Sequence, residues 1–282
     1  MAILLLASLA VQDDLGASLK KLFEGLSAAQ RESALKSYDD ESRDAEVPFP
    51  GPRSGLLIGD LSDAQFETLD GAIRQFLSED GYRSVMKVAA QCHKKEGLRA
   101  YYAGFFGDPT GEGPWAFRIV EHHLTLVHVH SDPDRFGQIL LGANPPELWH
   151  EQEDAALAGF KALSAGEKKR AVLDAGEGES GAALGDRGVA LRDLSEEARK
   201  AAHAMIDARI GLFSDAQQKK LRTILDGRDD LLLAFFGEMT ARSADGGRAN
   251  WKIEAPGFLC DYESSRGHIH MTLRATGKTT DD

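Results

Sequence analysis

Residues 115–130 read WAFRIVEHHLTLVHVH. The fold class turns on that stretch. Aromatic and β-branched side chains crowd it, and such side chains suit a pleated surface better than a helix. We read it as a strand. YYAGFFG at 101–107 lies before it across the turn GDPTGEGP, and FGQILLGA follows at 136–143. Together these predict a strand meander. Later in the chain, LLLAFFGEM (231–239), WKIEAPGFLCDYE (251–263) and HIHMTLRA (268–275) read the same way.

Upstream of each strand group the period changes to that of a helix. Phe66, Leu69, Ile73, Phe76 and Leu77 make one helical face, and Met205, Ile206, Ile210 and Leu212 continue a similar pattern later. Capping-box signatures stand at Ser27 with Gln30, Ser62 with Gln65, Ser164 with Glu167 and Ser214 with Gln217. Helices followed by strands predict an α+β fold.

The chain also resembles itself. FEGLSAAQRESAL at Phe23 recurs as FKALSAGEKKRAV at Phe160, and GDLSDAQ around Leu61 recurs as RDLSEEA around Leu194. FFGDPT at Phe105 recurs as FFGEMT at Phe235, and WAFRI at Trp115 as WKIEA at Trp251. Four anchors in one order predict an internal duplication. The two similar halves are 22–150 and 159–282, each made of helices followed by an antiparallel strand meander and expected to share one compact domain. The polar stretches 37–55 and 175–188 read as connecting loops. The second lacks the Gly-Lys-[Ser/Thr] ending of a phosphate-binding loop.

The 282 residues carry a net charge of −12, and 42% are hydrophobic. The chain is therefore a folding one, without the basic face that nucleic acid requires. No apolar run reaches the roughly 20 residues that span a bilayer. Residues 1–12, with an apolar run from Ile3 to Ala10, read as a possible signal or leader segment. Export, periplasmic or extracellular, is the favoured expectation. Cys92 and Cys260 lack redox or metal spacing and are read as isolated thiols.

Six of the nine histidines fall within EHHLTLVHVH (121–130) and RGHIHMTLR (266–274). If each is a strand, alternation puts His122, His128 and His130 on one face and His123 on the other, with His268, His270 and Arg274 sharing a face. Two histidines at i and i+2 can point into one site, and imidazole suits zinc or copper. The candidate ligands are His122, His123, His268 and His270. Asp261 and Glu263 are candidate partners that would orient the imidazole rings. Arg274 and Arg118 are candidate holders of an anionic group. At the repeat offset, His122 and His123 fall opposite Phe258 and Leu259, so the histidine site is expected to be asymmetric and to lie between the halves. His128 and His130, near the turn SDPD, are expected outside it.

FFGDPTGEGPWAFRIVEHHLTL, LLGANPPEL and FLCDYESSRGHIHMTLR together resemble the uncharacterised bacterial domain-of-unknown-function family 3500, over about Leu26 to Arg274. Trp115, His122, His123, Leu124, Gly142, Ala143, Asn144, Pro145, Asp261, His268, His270 and Arg274 carry the resemblance. Where the family pattern has an Asn after the His-His strand this chain has Val127. Its Asp-Asn-Thr-Gln-Asn run is DYESSRG here, and its Trp before the Arg is Leu273. The resemblance implies no reaction. It implies export, since many members carry leaders. Three readings compete: a metal-dependent enzyme acting on a small or anionic substrate, a metal-free module that binds a small ligand, and a structural protein without activity.

Overall fold

The computed structural model describes residues 15–45, 51, 53–144, 147–174, 183–265 and 268–277. The leader expected at 1–12 and most of the second polar loop lie outside them.

By backbone proximity the described chain divides into two units. One runs up to Leu140 and includes Gly211–Thr223; the other is Leu141–Ile210 with Ile224 onward. The first begins with helix α1 (residues 15–24) and α2 (Ala28–Ala34). Strands β1 (Leu35–Lys36) and β2 (Leu56–Leu57) follow, then α3 (Asp63–Phe76) and α4 (Glu79–Cys92). The meander is β3 (Tyr102–Phe106), β4 (Ala116–Glu121), β5 (Leu124–Val129) and β6 (Arg135–Ala143), whose last residues belong to the second unit.

The second unit continues with α5 (His150–Ala162), α6 (Ala165–Ala171), β7 (Val172–Leu173), β8 (Val189–Ala190) and α7 (Glu196–Ile210). After α8 (Asp215–Leu225) come β9 (Leu232–Phe236), β10 (Trp251–Ala255), β11 (Phe258–Ser265) and β12 (His268–Thr276). The class is α+β, as read.

The strands are not all antiparallel. β3–β4–β5 and β9–β10–β11–β12 pair antiparallel, but β1 lies parallel to β3 and β7 parallel to β9. The reason is local. Each two-residue strand is the extended chain leaving the C-terminus of a seven-residue helix, at Leu35 after α2 and Val172 after α6.

Three of the four expected capping boxes close. Ser27, Ser62 and Ser164 each accept from the N3 backbone N–H, while Gln30, Gln65 and Glu167 return the bond to the cap N–H. Ser214 departs from the expectation: its hydroxyl is buried without a hydrogen-bond partner. The α3 face follows its apolar period, with Leu69, Ala72, Ile73 and Phe76 buried. Burial of each large side chain in that set contributes about 1.5–3 kcal/mol.

Every residue of β4 and β5 is buried, so both faces of these strands are covered. On one face Phe117, Ile119, Leu126 and His128 meet Leu15 and Leu19 of α1 and Ala72, Ile73 and Phe76 of α3. On the other, Ala116, Val127 and Val129 pack with Phe106 and Tyr38. Arg118 shares this second face and donates to the carbonyls of Ser42 and Ala45.

The strand reading of WAFRIVEHHLTLVHVH needs a correction. It is two strands, β4 and β5, paired antiparallel from Glu121↔Leu124 to Ala116↔Val129 around the two-residue turn His122–His123. WKIEAPGFLCDYE splits likewise around Pro256–Gly257, with Ala255 opposite Phe258. The register also corrects one anchor. Phe105 pairs with Phe117 while Phe235 pairs with Trp251, so Trp251 occupies the position of Phe117 and not that of Trp115.

Candidate functional site

The His122–His123 turn is held from three sides. A two-residue hairpin turn often needs a left-handed residue, which costs glycine little and other residues more. Gly257 fills that role in the β10–β11 turn with φ 72°, and His123 adopts φ 66°. The two imidazoles stack with centroids 3.7 Å apart. The His122 carbonyl accepts from the Tyr101 hydroxyl at 3.4 Å and from the Cys92 thiol at 3.7 Å. Cys92 Sγ also lies 3.4 Å from His123 Nδ1.

Glu121, the last residue of β4, is 2% exposed. Its carboxylate accepts from the His122 N–H and, at 3.0 Å, from the Gly51 N–H. It faces His93 Nε2 at 3.3 Å and Arg53 at 3.8 Å. A buried carboxylate is tolerated because it collects several donors and a guanidinium. Burial pushes the Cys92 thiol up, with the Glu121 charge adding to the effect, so at neutral pH it is a thiol and not a thiolate nucleophile. Burial likewise raises the Tyr101 hydroxyl, which stays protonated and donates.

His268 and His270 lie on β12, half-buried on one side of the strand, with Nε2 atoms 3.1 Å apart. Glu263 of β11 stands directly opposite His270. Asp261 accepts from the Thr272 N–H at 2.7 Å, which ties its carboxylate to the ladder.

One ligand atom from each of His122, His123, His268 and His270 lies within 4.8 Å of the others, a grouping that could hold a metal ion. Neighbouring nitrogens on a tetrahedral zinc stand about 3.3 Å apart. The 3.1 Å pair on β12 is thus near ligand spacing.

The other candidates stand apart from this arrangement. Arg274 is exposed, four residues beyond His270, or about 13 Å along the strand. Arg118 is 4% exposed, with its terminal nitrogens on the Ser42 and Ala45 carbonyls. Burial lowers it to about 10, so it stays charged while it holds the 42–45 segment. His128 packs edge-on to Phe76 at 5.9 Å, and His130 stacks on Trp115 at 4.4 Å. Among the described residues neither belongs to the metal-competent group.

Sequence reasoning passed over Cys92, His93, Tyr101 and Glu121. Cys92 and His93 adjoin in the sequence, but nothing in QCHKK announces that α4 ends beside the turn.

The chain belongs to DUF3500, a protein family of unknown function, which matches residues 10–281. No curated protein and no solved structure matches it.

Proposed function

We propose that this member of DUF3500 is a metalloprotein that holds one zinc or copper ion on His122, His123, His268 and His270, and that the ion carries out chemistry on a small anionic substrate. The observation that carries the reading is the convergence of four imidazole nitrogens within 4.8 Å. Imidazole donors suit zinc and copper and disfavour magnesium or calcium. Four neutral ligands leave the ion its whole positive charge. An ion so placed attracts an anion, polarises a carbonyl or phosphoryl oxygen and acidifies bound water. Glu263, whose backbone pairs with that of His270, would orient that ring.

The test is metal analysis of protein purified without a histidine tag, followed by zinc and copper titration at neutral pH. The reading expects one ion per chain. It expects a loss of at least about 100-fold in affinity for His268→Ala or His270→Ala, and no loss for His128→Leu. Protein that binds neither metal overturns the reading, and the metal-free binding module takes its place.

We also propose that the chain arose by internal duplication. Four correspondences support it. β1 pairs with β3 as β7 pairs with β9, and β2 with β3 as β8 with β9. Gly107 N–H donates to Lys36 as Gly237 N–H donates to Leu173. Gly55 and Gly188, both at positive φ, would each drive a Cβ into a strand carbonyl, at 2.7 Å from Ala103 and 2.6 Å from Leu233. Finally, Leu77 bridges antiparallel to Phe213, and these residues follow Phe76 and Leu212 at the ends of matching helix connections. On this alignment His122–His123 stands where Pro256–Gly257 stands in the other half. The histidine turn then replaces an ordinary turn.

A further inference from the structure

We propose that the first unit carries a second site, independent of any metal: a cavity at the far end of the β4–β5 hairpin from the histidine turn, which takes a neutral, hydroxyl-rich molecule the size of a mono- or disaccharide. The proposal goes beyond the metal-site reading and does not rest on it.

The cavity measures about 460 Å³, within the roughly 300–1,000 Å³ of small-molecule sites. Gly16, Ala17 and Lys20 of α1 wall one side, Glu112 of the β3–β4 connection another, and Trp115 and His130 the hairpin side. Roughly 20 Å of strand separates Trp115 from His122. Each wall has a local cause. His130 stacks on Trp115 at 4.4 Å, and its N–H donates to the Trp115 carbonyl at 3.1 Å. A Cβ at Gly16 would stand 2.3 Å from Cε1 of that stacked ring, so glycine is what lets the helix come close. Asp108 accepts from the N–H and the hydroxyl of Thr110, and the Gly111 N–H donates to the Asp108 carbonyl, which shapes the connection as a turn.

The second unit shows what closes such a place. Phe23 of α1 meets Phe105 edge-on at 5.0 Å, and Phe160 of α5 meets Phe235 edge-on at 5.2 Å, so the two helices sit alike on their strands. The helix position seven residues before these phenylalanines holds Gly16 in α1 and Glu153 in α5, and the next holds Ala17 and Asp154. Glu153 accepts from the Ser243 N–H at 3.1 Å, and Asp154 takes Arg242 in a two-point ion pair. These bridges tie α5 to the β9–β10 connection, residues 237–250. The β3–β4 connection, residues 107–115, is shorter, and α1 presents to it a glycine and an alanine, which carry no bridging group. Side-chain choice and loop length thus leave the first unit open where the second is closed.

The lining selects the ligand class. Lys20 donates, Glu112 accepts, and Ser131, also in the wall, does both. Asp108 lies near Lys20 as well, so no excess of positive charge favours an anion. Lys20, Glu112 and Ser131 are exposed, so the site is wet and a wholly apolar molecule gains little there. Sugar hydroxyls both donate and accept, and the C–H faces of a sugar ring pack on the aromatic pair.

The experiment is a titration of the 15N-labelled, chelator-treated full chain with D-glucose, with maltose and, for a zwitterionic comparison, with L-phenylalanine, each in the millimolar range. It is read at the indole N–H groups of Trp115, Trp149 and Trp251. A saccharide is expected to shift Trp115 saturably and to leave the other two in place. Ala17→Phe, which fills the cavity from α1, and Glu112→Ala, at an exposed loop position, are each expected to weaken that binding at least about 10-fold. No saturable shift with either saccharide overturns the proposal, and so does a response to L-phenylalanine alone. Unchanged affinity in Glu112→Ala and in folded Ala17→Phe overturns it too, and Glu112→Ala decides if the other variant does not fold. No metal enters this assay, so the metal reading stands or falls separately.

Discussion

Replacing His128 with leucine should remove most of the acid sensitivity of the first unit. His128 is 5% exposed, set between Phe76 and Trp115, and its Nε2 is buried without a hydrogen-bond partner. Burial, then the nearby charges of Lys220 and His130, lowers its pKa from 6.5 to about 3. The folded protein therefore keeps this ring neutral, while the unfolded chain protonates it near pH 6.5. Between those two values the unfolded state binds the extra proton. Stability is full above pH 6.5 and falls as pH drops toward 3. Each pH unit in that window costs about 1.4 kcal/mol, so the step from pH 7 to 4.5 costs about 2–3 kcal/mol from this residue. Lys220, lowered to about 8, is protonated in both states throughout the window and adds no slope. Urea unfolding of chelator-treated protein at pH 7 and pH 4.5 measures the effect. The natural chain should lose about 2–3 kcal/mol more than His128→Leu over that step. Equal losses in the two proteins would refute the claim that His128 is held neutral by burial.

Further expectations concern the turn, the caps and one helix contact. His123→Gly should stabilise the metal-free fold by about 1 kcal/mol, because glycine adopts positive φ without strain, while weakening zinc binding; calorimetry and metal titration read the two effects separately. Ser27→Ala and Ser164→Ala should each cost about 0.5–2 kcal/mol through loss of a closed capping box, whereas Ser214→Ala, which removes a buried hydroxyl with no partner, should cost nothing measurable in the same denaturation assay. Gly81→Ala should be severe, at roughly 3 kcal/mol or more, because its Cβ would stand 1.9 Å from the Leu212 carbonyl oxygen; unfolding at an unchanged midpoint would contradict that packing.

What could be read from the sequence was what local physics determines. The α3 face and three capping boxes follow from residue spacing alone, since helix period and cap chemistry act within a few residues. The strands were legible for the same reason. The turn inside WAFRIVEHHLTLVHVH was not, because neither His122 nor His123 is a turn former by composition. The left-handed backbone at His123 is imposed by the β4–β5 pairing. Alternation across that point therefore assigned faces that the turn resets. Ser214 carried the right signature, but its hydroxyl is buried by surroundings that no short window contains. The four histidine candidates were found through i, i+2 spacing and adjacency. Cys92, 31 residues before His123, was invisible to any spacing rule, because α4 and β3–β4 must first fold to bring it there. Arg118 was readable as a cation. Only the folded chain shows that its nitrogens are committed to Ser42 and Ala45.

The most direct test of the central claim is zinc-edge X-ray absorption of the zinc-loaded protein. The account predicts three to four imidazole nitrogens at about 2.0–2.1 Å with the outer-shell scattering of histidine rings, and loss of two of them in the His268→Ala/His270→Ala double variant. A shell of oxygen ligands without imidazole scattering, or an identical spectrum from the double variant, would contradict it.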